Sequence, residues 1–168
     1  CDVSPWLARE ETGWSLDLDE LTRLVRPTTR VIVVNTPHNP TGYLMSRADF
    51  EVVNRFAQEN NLLLFCDEVY RESEYDPEQR LPAACDMGEH AVSLGVTSKT
   101  YGLAGLRIGW IATKNKNIYQ SMASLKDYTT ICNSAPSEFL AEVALQNRQK
   151  LVVRNLGIIK SNLELVDE

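Results

Sequence analysis

The chain has 168 residues, 43% of them hydrophobic, and carries 17 Lys and Arg against 23 Asp and Glu, for a net charge of −6. This is enough apolar material for one ordinary domain with a core. With this acidic balance no basic surface for nucleic acid stands out. No polybasic run, signal peptide or apolar span of about 18 residues indicates a membrane. The composition predicts a cytoplasmic globular protein.

The cysteines and histidines do not form a metal-binding pattern. The four cysteines contain no C-x-x-C pair and are Cys1, Cys66, Cys85 and Cys132. Their wide spacing favours free thiols in a reducing compartment. His38 and His90 have no ligand partners at a zinc spacing, so we expect no metal site.

The first segments predict a strand and a helix. Residues 1–7 alternate weakly in hydrophobicity, as a short edge strand does, and Pro5 argues against a central strand. Asp17 and Glu20 form a capping-box pattern before an apolar helical face, and the helix should end near Pro27.

A rigid turn follows the first buried strand. Residues 30–35 are a short run rich in β-branched side chains, which predicts a buried strand. The sequence T-P-H-N-P-T-G follows at 36–42. Two prolines and a glycine restrict this backbone, so the side chain of Asn39 has little freedom. A single N-P pair by itself more often marks a turn asparagine that caps its own backbone.

The next segments predict a parallel βαβ unit. Ser46 and Asp49 indicate the start of a helix that ends near 60–61, and residues 62–66 form a second buried strand. That strand runs into D-E-V-Y at 67–70. Considered alone, Asp67 fits a helix cap or a solvated acid and Tyr70 a packing ring, while Glu68 is assigned a structural role.

One lysine lies in a loop of small residues between two further strands. Residues 71–87 are polar and predict a surface loop, and short apolar strands are predicted at 91–94 and 107–112. Lys99 therefore follows the end of a strand, where open α/β sheets hold ligands. The glycines fit neither a Walker A loop nor G-x-G-x-x-G, and an isolated S-K-T would more often be a solvated loop.

The last third of the chain is predicted to be helical. Residues 117–130 carry an apolar stripe that includes Tyr128, Pro136 opens a second helix with Phe139 in its stripe, and residues 151–166 form a long amphipathic helix. We interpret the first two stripes as parts of the core.

Three motifs together resemble one enzyme family. N-P-T-G at 39–42, D-E-x-Y at 67–70 and S-K-x-x-G-L-x-G-x-R-x-G at 98–109 are similar, in type and order, to motifs of the class I/II, fold-type I aminotransferases that use pyridoxal 5'-phosphate (PLP). The resemblance covers essentially the whole chain. The family's usual chain is more than twice as long, so we expect a central, excised piece of its large domain.

The resemblance implies a role for each motif residue. Lys99 is the lysine of the internal aldimine and a proton shuttle, and Asp67 pairs with the pyridine nitrogen of PLP. Asn39 and Tyr70 bond the phenolic oxygen. Arg107 binds the phosphate and helps to keep the Lys99 amine neutral.

One position departs from the family motif. The family often has a phosphate-binding serine three residues before the lysine, where this chain has Val96. Either Thr97 or Ser98 could supply the missing hydroxyl, and the sequence leaves both open.

The resemblance also implies a fold and a function. The fold is a three-layer α/β/α sandwich with a mostly parallel sheet and one antiparallel strand near Ile108, with residues 1–150 in the partial PLP-binding large domain and 151–168 beginning the helix to the small domain. The function is amino-group transfer between an amino acid and a 2-oxo acid by a homodimer without nucleic-acid or membrane partners. Alternatives are a PLP-dependent lyase or cyclase, or a piece inactive by itself.

The chain is expected to carry fewer strands than the whole sheet of the family. By resemblance the whole sheet has seven strands, and this chain carries at most five, near Asp2, Val33, Leu64, Leu94 and Ile108. We expect the first seven residues to be displaced or to pair elsewhere, the Asn39-Pro40 bond to be cis, and the chain to self-associate through unpaired strand edges.

Overall fold

The structure is a computed structural model, and it describes residues 1–166. Its strands are β1 (Val31–Asn35), β2 (Leu63–Asp67), β3 (Ala91–Val96) and β4 (Gly109–Thr113). Its helices are α1 (Leu18–Leu24), α2 (Arg47–Glu59), α3 (Ala84–Met87), α4 (Lys116–Thr129), α5 (Ala135–Gln146) and α6 (Arg148–Val166). Short 3₁₀ turns lie at Glu10–Thr12, Pro77–Gln79 and Ala104–Leu106.

The four strands form one mixed sheet in the order β1-β2-β3-β4. β1 pairs with β2 and β2 with β3 in parallel, whereas β4 is antiparallel to β3. This confirms the α/β class and the antiparallel strand near Ile108. Strands β1 and β2 are joined through α2, as the predicted βαβ unit requires.

The hydrophobic core lies against one face of the sheet. Ile32 and Val34 of β1 and Leu64 and Cys66 of β2 point into it. Phe50, Val53 and Ala57, on one stripe of α2, complete it from the helix side. On the opposite face Val92 of β3 is buried, but Val33 at the β1 edge is 66% exposed, so this face is covered unevenly.

The predicted caps start the first two helices. Asp17 accepts a hydrogen bond from the Asp19 N–H at 2.8 Å. Ser46 accepts from the Asp49 N–H at 3.1 Å and donates to the Asp49 carboxylate at 2.8 Å. These bonds satisfy backbone groups that the first helical turn leaves without partners.

The predicted N-terminal edge strand is wrong. Residues 1–9 contain no strand, and Val3 is 81% exposed. Trp6 holds the segment by packing against the core and donating from its indole to the Asp17 carbonyl at 2.7 Å. Seven residues that alternate in hydrophobicity cannot form a strand without a neighbouring strand to pair with. The further expectation, that this segment lies off the sheet, is confirmed.

Residues 71–87 are not a simple surface loop. They contain a 3₁₀ turn and α3, and Glu74, Leu81 and Ala84 are buried. The polar composition misled the prediction because Glu74 is paired with Arg80 at 3.1 Å, which compensates the burial of its charge.

The apolar stripes of α4 and α5 are not core stripes. Tyr128 is 90% exposed and Phe139 is 65% exposed. Leu125, Leu140 and Val143 are also exposed. Helical periodicity identifies an apolar face, but it does not say whether this chain or another surface covers that face.

All four cysteines are free, as expected, and Cys66 is buried in the core. Burial raises the pKa of the Cys66 thiol, and the nearby Glu68 and Asp67 carboxylates raise it further. Among residues 1–166 no helix is both long enough and apolar enough to cross a membrane.

Candidate functional site

The carboxyl ends of three neighbouring strands bring the predicted site residues to one edge of the sheet. Asn35, the last residue of β1, is in register with Asp67, the last residue of β2. Asp67 is in turn opposite Leu94 of β3, which ends at Val96, three residues before Lys99. Because the carboxyl ends of adjacent parallel strands meet at one edge, these groups lie along the same edge of the sheet.

The turn that carries Asn39 is fixed by a residue that the sequence analysis missed. The side-chain oxygen of Asn35 accepts the Asn39 N–H at 2.8 Å, and its amide donates to the Asp67 carbonyl at 3.1 Å. Asn39-Pro40 is cis, as predicted, and Thr36-Pro37 is also cis. The sequence does contain a signal for Asn35, because this asparagine ends an apolar strand immediately before a proline-rich turn.

The side chain of Asn39 is exposed and makes no hydrogen bond within residues 1–166. Asn39 therefore does not cap its own backbone, which was the alternative for a single N-P pair. The amide is available to a ligand at the sheet edge.

Asp67 is half-buried and uses one carboxylate oxygen locally. Its Oδ1 accepts the Val69 N–H at 3.2 Å, a short-range bond of the capping kind. Its Oδ2 accepts no hydrogen bond from the part of the chain that the structure describes. The carboxylate thus keeps one oxygen free for an external donor.

Tyr70 and Lys99 lie side by side. The Lys99 ammonium is 5.8 Å from the centre of the Tyr70 ring, which is within range of a cation–π contact. Lys99 is exposed and makes no ion pair within residues 1–166. Its loop is closed by bonds from Gly102 N to the Lys99 carbonyl and from Leu103 N to the Thr97 carbonyl, at 2.8 and 3.0 Å.

The two hydroxyls considered for the phosphate differ in availability. Thr97 is fully buried, and its hydroxyl donates to the Ile108 carbonyl at 3.0 Å. Ser98 is half-buried, lines the groove beside Lys99, and has no hydroxyl partner among the described residues. Ser98 is therefore the hydroxyl that a ligand can reach.

Arg107 follows the 3₁₀ turn at Ala104–Leu106. It adopts a left-handed backbone conformation with φ 56°, and its guanidinium donates to the Ala104 carbonyl at 3.2 Å. The side chain is exposed and has no carboxylate partner within residues 1–166, so most of its donors are available.

Behind the site, Glu68 is structural, as the sequence analysis assigned it. Its buried carboxylate accepts from the Ala84 N–H at 2.8 Å and from the Ser93 hydroxyl at 2.7 Å. It also lies 3.4 Å from Arg71. This network anchors the chain immediately after Asp67.

A second anchor joins the lysine loop to the 71–80 segment. The Tyr101 hydroxyl donates to Glu72 at 2.9 Å, and Glu72 lies 3.5 Å from Arg80 and 3.6 Å from Arg148 of α6. Burial, with Glu72 accepting the hydrogen bond, raises the pKa of Tyr101 to about 12. The neutral phenol therefore stays bonded over the physiological range.

An open groove of about 410 Å³ lies beside Lys99. One wall is the lysine loop with Tyr70 and Ser73, and the other is α6. This wall was not predicted from the sequence, because Asn155 and its apolar neighbours indicate only one face of a helix. The residues that line the groove are Tyr70, Ser73, Ser98, Lys99, Thr100, Gly102, Asn155, Leu156, Ile158 and Ile159.

Comparison with known proteins assigns the chain to a family. The family described as aminotransferase class I and II matches residues 1–168. The chain belongs to this family, whose members are fold-type I, PLP-dependent enzymes.

Individual relatives agree with this assignment. The chain is 32% identical to aromatic-amino-acid aminotransferase 2 of Thermococcus litoralis over 142 residues, covering 83% of this chain and 36% of the relative. It is also 32% identical to capreomycidine synthase of Streptomyces vinaceus over 167 residues, covering 99% of this chain and 42% of that protein.

A solved structure matches the fold. A PLP-dependent aminotransferase from Streptococcus suis superposes with a TM-score of 0.91 and 36% identity, covering 99% of this chain and 43% of that protein. The four-strand mixed sheet is therefore part of the PLP transferase large-domain fold. The chain spans roughly two fifths of the length of these relatives.

The groups at the sheet edge fit PLP. The free Asp67 oxygen suits a protonated pyridine nitrogen, and the Asn39 amide and Tyr70 phenol suit a phenolic oxygen. The Ser98 hydroxyl and Arg107 guanidinium suit a phosphate. Lys99, beside Tyr70, offers an amine that suits the aldehyde of PLP.

Proposed function

We propose that this chain is the part of a PLP-dependent aminotransferase that binds the cofactor and moves protons during amino-group transfer between an amino acid and a 2-oxo acid. The observation that carries the proposal is that Asn39, Asp67 and Lys99 lie at or just after the ends of three adjacent strands, with one Asp67 oxygen unpaired within residues 1–166. Residues 1–150 would form the partial large domain and 151–168 the start of the helix to a small domain. We further propose a cytoplasmic homodimer.

PLP, when bound, supplies an electron sink that stabilises negative charge at the substrate α-carbon. In this chain Asp67 would hold a proton at the ring nitrogen through its free Oδ2. Its other oxygen is tied to the Val69 N–H, which fixes the carboxylate plane. A carboxylate oriented in this way binds a charged donor more strongly than a neutral group would.

Lys99 would attach the cofactor and later move a proton at the α-carbon. Its amine makes no ion pair among residues 1–166 and so is not tied to a carboxylate. Tyr70, beside it, would orient the phenolic oxygen of the ring together with Asn39, whose turn is held by Asn35. A lysine is an effective nucleophile only when it can lose its proton.

The phosphate would be held by Ser98 and Arg107. Ser98 is preferred to Thr97 because the Thr97 hydroxyl is buried and already donates to the Ile108 carbonyl. Arg107 contributes a planar set of donors that matches phosphate oxygens.

A second candidate is a PLP-dependent lyase or cyclase. It is favoured by the 32% identity to a synthase, capreomycidine synthase, across nearly the whole chain. Both candidates need the same Lys99 and Asp67 chemistry, and product analysis with a 2-oxo acid acceptor separates them, since only a transaminase converts the acceptor to an amino acid.

The test is covalent labelling with PLP. The chain is incubated with PLP, reduced with borohydride and digested, and we expect the pyridoxyl group on the Lys99 peptide. Lys99→Ala should abolish the specific label, whereas Lys116→Ala, an exposed lysine on α4, should not. In a longer polypeptide containing this chain, Lys99→Ala should also nearly abolish amino-group transfer. Label spread evenly over the surface lysines would contradict the proposal.

A further inference from the structure

The position of the Lys99 amine depends on the backbone of its loop. The amine makes no hydrogen bond or ion pair among residues 1–166, and it lies 5.8 Å from the centre of the Tyr70 ring. A reactive side chain without a bond of its own is held in place by the residues that support it. The contacts of Thr100, the next residue along the chain, therefore bear on where Lys99 lies.

Thr100 is buried and is held from two sides. Its hydroxyl bonds the Ser73 hydroxyl at 2.8 Å and lies 3.4 Å from the Val69 carbonyl, which ties it to the segment that carries Tyr70. Its carbonyl accepts the side-chain amide of Asn155 of α6 at 2.9 Å. No other donor bonds this carbonyl in the part of the chain that the structure describes. Loss of the amide would leave the carbonyl without a partner.

The side chain of Asn155 is fixed in this contact. Its oxygen accepts from the Arg154 guanidinium at 3.0 Å, so its amide nitrogen faces the Thr100 carbonyl. Gly102 has a φ of 70°, and a Cβ at this position would lie 3.0 Å from the Asn155 nitrogen. Glycine at 102 therefore allows α6 to approach the lysine loop closely.

α6 reaches the loop at a second point. Arg148 lies 3.6 Å from Glu72, and Glu72 accepts a hydrogen bond from the Tyr101 hydroxyl at 2.9 Å. Arg148 and Asn155 are about two helical turns apart, so they lie on the same face of α6. Because this second contact remains when Asn155 is changed, we expect the loop to shift rather than to unfold.

We propose that Asn155 is a positioning residue, whose bond to the Thr100 carbonyl holds the lysine loop so that the Lys99 amine stays beside the Tyr70 ring. It acts through the backbone and is given no contact with the cofactor. The consequence for cofactor attachment rests on the proposed function. The placement of Lys99 beside Tyr70 is a property of the chain itself and can be measured without PLP.

Formaldehyde measures this placement in the cofactor-free chain. The Lys99 amine condenses with formaldehyde with loss of water, and a ring carbon of Tyr70 next to the phenol carbon then adds to the imine carbon. The ring hydrogen ends on the nitrogen, and a methylene group joins the two side chains. Mass spectrometry of the digested chain gives the bridged fraction. Tyr70→Phe gives the background, and Lys116, exposed on α4, reports the reaction of a free amine.

We expect Asn155→Asp to lower the bridged fraction about fivefold, the population change that the loss of one hydrogen bond of average strength gives. The new side chain keeps the shape but presents an oxygen, not a donor, to the Thr100 carbonyl. Asn155→Leu, of similar volume and without a donor, should give a comparable decrease. Asn162→Asp, the same change at an exposed position of α6, should leave the fraction unchanged. Circular dichroism identifies any unfolded variant.

Labelling with PLP and borohydride measures the consequence for the cofactor. In Asn155→Asp the pyridoxyl label at Lys99 should form about fivefold more slowly, by the same loss of one hydrogen bond. The label at Lys116 should form at the rate of the unchanged chain.

An unchanged bridged fraction in the folded Asn155 variants would overturn the proposal, even if their free energy of unfolding is lower. Unfolding of both variants would also overturn it, because Asn155 would then be a structural residue, as would a bridge no stronger than the Tyr70→Phe background. A bridge that depends on Asn155 without a specific PLP label would refute the proposed function alone. A specific PLP label with a bridge that is independent of Asn155 would refute the positioning role alone.

Discussion

At the scale of single residues, the two oxygens of Asp67 have different roles. Oδ1 is held by the Val69 N–H, and Oδ2 is free within residues 1–166. An amide at this position can keep the first bond but cannot provide negative charge. Local structure and ligand binding can therefore be separated by one substitution.

We predict that Asp67→Asn stays folded and binds PLP at least about tenfold more weakly, because a hydrogen bond to a charged group is worth about 1.5–3 kcal/mol. Titration of PLP absorbance measures the change. Asp76→Asn is the matched control, because Asp76 Oδ1 accepts the Glu78 N–H at 3.0 Å in the same local geometry away from the site. Unchanged PLP affinity in Asp67→Asn would contradict the role given to Asp67.

The raised pKa of Tyr101 predicts that the free energy of unfolding falls at high pH. Its pKa is raised from 10.0 to about 12, by burial first and by the bond to Glu72 second. Folding therefore favours the neutral phenol, and its contribution is complete below pH 10 and is lost as the pH rises towards 12. We expect Tyr101→Phe to show a smaller fall in unfolding free energy over this window than the unchanged chain.

Urea denaturation at a series of pH values measures this difference. Tyr119→Phe, at an exposed position of α4, is the control and should follow the unchanged chain. Identical pH profiles for Tyr101→Phe and the unchanged chain would contradict the raised pKa of Tyr101 in the folded chain.

At the scale of elements, the β3–β4 pair depends on a glycine. Gly95 lies opposite Trp110, and a Cβ at Gly95 would stand 2.4 Å from the indole ring. The ring occupies the space that a side chain would need, so the close approach of these two strands requires glycine. Since β3 leads into the lysine loop, this contact also supports the site.

We predict that Gly95→Ala lowers the unfolding free energy by about 1–3 kcal/mol, the usual cost of overpacking. Gly105→Ala is the control, because nothing lies within 4 Å of a Cβ there. Chemical denaturation measures both. Trp110→Leu combined with Gly95→Ala should recover part of the loss, and the absence of any recovery would place the strain elsewhere.

At the scale of the whole molecule, apolar surface remains uncovered. Val33 of β1 is exposed on the less covered sheet face, and α4 and α5 expose Tyr128 and Phe139. The outer edge of β1 has no neighbouring strand among residues 1–166. Unpaired strand edges and large apolar patches favour association with another chain.

We predict that the chain self-associates and that Val33→Lys weakens the association, because a charge on an edge strand opposes pairing. Light scattering over a range of protein concentrations measures it, with Val153→Lys on α6 as the control. A stable monomer with a dissociation constant weaker than about 1 mM, equivalent to about −4 kcal/mol, would contradict the prediction.

The sequence by itself was sufficient to predict the family, four strands of the sheet and the placement of Asn39, Asp67 and Lys99 at or just after the ends of three of them. Short β-branched runs indicate buried strands, and polar motifs directly after them must meet at one edge when the strands are parallel. The helix caps at Asp17 and Ser46 were also predictable from the sequence, because capping depends on residues only a few positions apart.

The tertiary structure decided what depends on contacts between distant residues. Only the fold places Asn35 between Asn39 and Asp67, makes Ser98 accessible and Thr97 inaccessible, and forms a groove from Lys99 and α6. It also decided that the stripes of α4 and α5 are exposed. Periodicity records which face of an element is apolar, whereas burial and hydrogen-bond partners depend on what the rest of the chain brings to that face.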